Sequence, residues 1–103
     1  MAQNIFEEFY SDPVAFNMKD LKSKLMMTLI AMIRRNGWTQ KHAAETLQVS
    51  QPRISNLFKG HIEKFSLDTL VEMLVRIGYK VEPTYDPTNV AAPMQMTLKR
   101  AEL

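Results

Sequence analysis

Apolar positions recur along the first third of the chain at Leu21, Leu25, Leu29, Met32 and Ile33, the spacing of a helix with one buried face. Met18, Met26, Met27 and Ile30 add a second apolar side, more than a small domain usually covers. Asp12-Pro13 suits a helix start: Asp accepts from free helical N–H groups, and Pro at the first position gives up none that matters. Asn17 and Asp20 are alternative starts. Asn36-Gly37 ends the run, because Gly takes the left-handed conformation that closes a helix. Thr39 then caps a short helix over Gln40–Leu47, and Gln48-Val49 is a brief connection. Ser50 caps a second short helix from Gln51 to Phe58 or Lys59, with Pro52 in its first turn and Gly60 as its stop. Ser66 opens a further helix, Leu67 to Ile77, whose stripe is Leu67, Leu70, Val71, Leu74 and Ile77. Past Gly78, Tyr79-Lys80-Val81-Glu82 alternates apolar and charged and predicts a short strand. Pro83, Pro87 and Pro93 punctuate a tail with little periodicity.

This pattern divides the chain into an arm (1–11), a domain (12–82) and a tail (83–103). A chain of 103 residues suits one compact core. It has no cysteine, which excludes disulfides and thiolate metal sites. The acidic N-terminus lacks the apolar run of a signal peptide, and no segment is long enough to span a bilayer, so a cytoplasmic, nucleoid-associated location is expected. The net charge of +2 conceals an asymmetry. Between residues 34 and 64, Arg34, Arg35, Lys41, Arg53, Lys59 and Lys64 face only Glu45 and Glu63, while the flanking thirds are each slightly acidic. A local basic face attracts a polyanion even when the whole chain is nearly neutral.

Two short helices joined by a brief turn are separately too short to be stable and make sense only when packed together steeply. Ala44 allows the second helix to approach closely, and Leu47, Val49, Ile54 and Leu57 supply apolar contacts. The outward set on the second helix is then Gln51, Pro52, Arg53, Ser55, Asn56 and Lys59, a polar and cationic face of the kind the major groove requires. Trp38 reads as a core or staple residue. His42 and His61 read as surface residues without a second metal ligand. Glu7, Glu8, Asp12, Asp20, Glu63, Asp68 and Glu72 form no pair with a nucleophile or base, so no enzyme activity, cofactor or metal is expected.

From Trp38 to Gly60, the order Thr39-Gln40, Ala43-Ala44, Val49-Ser50-Gln51, Ile54-Ser55 and a terminal Gly closely resembles the Xre type of helix-turn-helix. That type is shared by lambdoid phage repressors, Cro and many antitoxins. Phe65-Ser66-Leu67-Asp68-Thr69-Leu70 and Ile77-Gly78 extend the resemblance toward HigA-like antitoxins and small regulators encoded beside a toxin. It covers roughly residues 20–82 and implies an all-α, five-helix, lambda-repressor-like domain followed by a short C-terminal strand and tail. Gln48 departs from the pattern, which has Gly at the first turn residue, so a slightly strained turn is expected.

The resemblance implies that Gln40 and Ser50 touch phosphate and that Gln51, Arg53, Ser55 and Asn56 reach base edges. It further implies that Pro52 meets a thymine methyl and that Lys59 and Lys64 hold phosphates, with Lys41, Arg34 and Arg35 as weaker candidates. The expected partners are an operator in double-stranded DNA, a second copy of the chain docked through the last helix or the strand, and a cognate toxin. Surplus apolar surface around Met18–Ile30, or the tail, is the expected toxin surface. The expected function is a transcriptional repressor. The alternative is a protein-binding module that keeps the helix-turn-helix only as scaffold, for which a neutral or acidic second helix is expected instead.

Overall fold

The chain begins with a long helix because Asp12 caps it: its Oδ1 accepts from the Ala15 N–H at 3.0 Å, and Pro13 is the first helical residue. This helix, α1 (Pro13–Arg35), starts at the earliest of the expected positions. Three further helices follow, α2 (Gln40–Leu47), α3 (Gln51–Phe58) and α4 (Leu67–Arg76), with a 3₁₀ turn at Ile62–Lys64 between the last two. Thr39, Ser50 and Ser66 each turn a hydroxyl back onto the N–H three residues on. The computed structural model describes residues 12–101. Among these residues there are four of the five expected α-helices, and the arm 1–11 expected from the sequence lies outside them.

The core forms where α1, α2, α3 and α4 converge. Leu29 and Ile33 of α1 meet Leu47, Ile54, Leu57, Phe65, Leu70, Met73 and Leu74, all essentially removed from water. Ala43 and Ala44 are buried as well, as small residues must be where two short helices approach closely. The first half of α1 contributes no buried residue: burial begins at Met26, and Val14, Met18 and Leu21 are exposed. Trp38 packs against the core edge, as its staple position implies, and meets His42 edge-on at 5.3 Å.

The expectation of an all-α fold with one isolated strand and an aperiodic tail is corrected. Strand β1 runs from Tyr79 to Tyr85, and β2, from Met94 to Arg100, returns antiparallel to it, pairing Tyr79 with Arg100 and Tyr85 with Met94. The partner that completes the strand is therefore the chain's own tail rather than a second molecule. Asp86 organises the connecting turn by accepting from the Thr88 N–H at 3.0 Å and the Thr88 hydroxyl at 2.6 Å. These bonds hold its carboxyl below the ordinary 3.8. Glu82 is likewise lowered, first by its hydrogen bond from Lys99 and then by the charges of Lys80 and Lys99. The hairpin is anchored to the body at its base, where Tyr79 and Leu98 pack against the core.

Candidate nucleic-acid interface

The turn between α2 and α3 sets the geometry of the candidate site. Gln48 adopts φ 56 and ψ 47, the left-handed conformation expected at this position. The Val49 N–H reaches the Ala44 carbonyl at 3.0 Å and the Gln48 N–H reaches Glu45 at 3.3 Å. This is a Schellman closure, and it normally carries Gly. Gly37 and Gly60 make the same closure after α1 and α3, with φ 66 and 73. At α2 a Gln fills the role, at a cost on the order of 1 kcal/mol. Arg76, on α4, braces this turn: its Nη1 donates to the Leu47 carbonyl at 3.4 Å. No local sequence signal marks that brace, because it joins residues 29 apart.

Ile54 and Leu57 anchor α3 from below with no exposed surface. What α3 offers to solvent divides into two groups. Gln51, Pro52 and the closing Lys59 are exposed, as are Gln40 and Lys41 on the first turn of α2, the cap Ser50, and Lys64 beyond α3. Neither α2 nor α3 carries an acid in its first turn, so the positive ends of both helix dipoles stay uncompensated. In α4, by contrast, Asp68 occupies that position. The Ser50 hydroxyl is engaged as a cap, accepting from the Arg53 N–H at 3.2 Å.

Arg53, Ser55 and Asn56 are half-buried, and two of them are partly committed within the protein. The Arg53 guanidinium lies 5.4 Å above the Phe65 ring, and its Nη1 is 3.4 Å from the Lys64 carbonyl. One of its five donors is thereby used, and the rest are held in a fixed orientation. The Asn56 amide meets His61 Nδ1 at 3.2 Å, while the His61 N–H bonds the Asn56 carbonyl at 3.1 Å. One half of the amide is engaged whichever group donates, so Asn56 has no free pair for a bidentate adenine contact in this conformation. Gln51 keeps its whole amide exposed. His61, expected on the open surface, is half-buried and acts as the strut behind Asn56.

Arg34 lies 5.5 Å over the Phe58 ring, which brings the basic end of α1 to the C-terminal end of α3. A basic pair closing a long helix was the only sequence signal for it. Among the described residues, no group of three or more His, Cys, Asp or Glu is placed to hold a metal. No helix there is long and apolar enough to cross a membrane.

A comparison with curated proteins gives no significant match. A family model described as a helix-turn-helix domain matches residues 5–83, which include α1 through α4 and most of β1. On that match, and with the two-helix unit just described, the chain belongs to the helix-turn-helix domain family, the architecture of DNA-binding regulators.

Proposed function

We propose that the chain is a sequence-specific transcriptional repressor that binds a palindromic operator as a homodimer, with α3 in the major groove. The observation that carries this reading is the character of α3: a rigidly seated helix with no acidic residue, opening on an exposed Gln51-Pro52 and closing on Lys59. Gln51 reads a base edge through its free amide, and Pro52 contacts a thymine methyl. Arg53, held over Phe65, presents its remaining donors to a guanine or a phosphate, with Ser55 and Asn56 filling the groove beside it. Gln40, Lys41, Ser50, Lys59 and Lys64 contact phosphates, which set register rather than sequence. One such helix covers too few base pairs to find a site in a genome, and two-fold pairing supplies the second half-site about 34–36 Å away.

The exposed stripe of Val14, Met18 and Leu21 on α1 favours a second role. There the chain grips a protein partner such as a cognate toxin, as an antitoxin that represses its own operon. The scaffold-only version of that role fits poorly with a cationic α3.

Titration of the full chain against a duplex carrying its own upstream region, with random duplex as competitor, tests the proposal. Binding that survives the competitor and weakens with salt supports it. Equal, weak binding to both duplexes contradicts it.

A further inference from the structure

The hairpin carries two unequal edges, and the difference points to a partner. Asp86 donates to Pro93 and Ala101 donates to Gly78, so the positions in step with 86 and 78 along β1 form the hydrogen-bonded pairs. Pro83 falls out of step with them, opposite Met96, and its missing N–H therefore faces the outer edge of β1. A Pro in that place blunts an edge against further pairing. The outer edge of β2 carries no Pro, and its charged residues, Lys99 and Arg100, sit together at one end. The main-chain groups of Met94, Met96, Leu98 and Arg100 point outward along it, and among the described residues the sheet has two strands. One face of the hairpin is also apolar beyond its anchored base: Tyr85 is 70% exposed, and Met94 and Met96 are each 66% exposed. Two strands alone are marginally stable in water, whereas more strands sharing an apolar face hold together.

We infer that β2 is the homodimer interface: it pairs antiparallel with β2 of a second copy, about a two-fold axis at Thr97, to make a continuous four-stranded sheet. The side-chain order fits a second copy of the chain in this register, and full-length overlap favours it, since moving the axis to Met96 leaves only Met94–Leu98 paired. With the axis at Thr97, the strand overlaps its mate along its full length. Met96 faces Leu98 of the mate, Met94 faces Arg100, Gln95 faces Lys99 and Thr97 faces itself. On one face Met96 and Leu98 form the central apolar pairs with Met94–Arg100 outside them, a Thr pair lies at the centre of the other, and no like charges stand opposite each other. Moving the axis two residues on, to Lys99, sets Lys99 against its own copy and removes most of the overlap. The inference supplies the dimer surface that the proposed operator reading needs, and it rests on that reading only for the biological use of the dimer.

The chain has no cysteine of its own, so a single introduced one reports unambiguously. Facing residues at a non-hydrogen-bonded pair lie about 4.5 Å apart between Cα atoms, close enough for a disulfide. Under mild oxidation Thr97→Cys is expected to cross-link into a dimer. Gln95→Cys, which faces Lys99 of the mate, is expected to stay largely uncross-linked. Met96→Pro removes only an outward N–H, as Pro83 does across the hairpin. It is expected to weaken dimerisation by roughly tenfold or more in sedimentation equilibrium, with helical circular dichroism unchanged. A dimer that neither cysteine captures and Met96→Pro does not weaken would overturn the inference and leave a dimeric DNA reader intact. A chain that sediments as a monomer at high micromolar concentration, free and on DNA, would overturn both the inference and the dimeric operator reading. DNA binding that fails while Thr97→Cys still cross-links would remove the function and keep the interface.

Discussion

The α2–α3 unit and the β-hairpin both depend on the rest of the molecule, in opposite ways. Each of the two helices is too short to persist alone. They are held because Leu47, Ile54 and Leu57 are drawn fully into the core shared with α1 and α4. The hairpin is held by its own ladder and turn, with only its base against that core, and it leaves large side chains in water at its tip. The surface proposed to fit a fixed groove is thus built on two helices seated in the core. The surface left apolar and open is the one expected to be covered by another protein. Burial marks where geometry is fixed, and unmet burial marks where assembly is expected.

The largest contrast should appear in the core. Leu57→Ala is expected to lose about 2–5 kcal/mol in urea denaturation. Met94→Ala at the hairpin tip should lose less than about 0.5 kcal/mol at concentrations where the chain is monomeric. Comparable losses at the two sites would remove the distinction. Next in size is DNA binding. Gln51→Ala is expected to cost about 1–3 kcal/mol and to relax preference at one base pair. Lys59→Ala should weaken all sequences evenly and lower the salt slope by about one. Neither change should alter unfolding by more than about 0.5 kcal/mol, since both residues are exposed.

The turn gives a smaller effect with the opposite sign. Gln48→Gly should stabilise the protein by about 0.5–1 kcal/mol, because the left-handed φ of 56 is free for Gly and strained for Gln. Thermal unfolding measures it, and destabilisation would mean that the Gln48 side chain contributes something the backbone does not reveal.

The smallest effect is confined to the hairpin. Glu82 and Asp86 have lowered folded pKa values, so their contribution is present above the ordinary values of 4.5 and 3.8 and is lost as pH falls through the lowered ones. Amide exchange in β1 and β2 should therefore accelerate on acidification below about pH 4.5 relative to the intrinsic rate, with α2 and α3 unaffected at first. Glu82→Gln should remove much of that dependence.

The helices were readable because their signals are local. Asp12, Thr39, Ser50 and Ser66 cap within three residues, and the left-handed stops follow directly. The second strand carries only a weak sequence signal, the alternation of Met94, Met96 and Leu98 with Gln95, Thr97 and Lys99. Apart from Thr97 it has no β-branched or aromatic residue, Pro93 stands immediately before it, and its register depends on a partner that itself contains Pro83. Ile54 and Leu57 define the buried side of α3, which leaves Gln51, Pro52 and Lys59 exposed and Arg53, Ser55 and Asn56 half-buried. What spacing did not convey is that the chain folds back after Gly60. That return places Phe65 under Arg53 and His61 beside Asn56, and so leaves Gln51 as the amide with both halves free.

The central claim is that the α2–α3 face meets DNA. Amide shift mapping tests it most directly: the full chain, isotope-labelled, is titrated with a duplex recovered by selection from a random library. The account predicts perturbations centred on Gln40, Lys41, Ser50–Asn56 and Lys59 that fade with added salt, and little change at the tip of the hairpin. Perturbations confined to the hairpin or to the first half of α1, or a library that yields no preferred duplex, would contradict it.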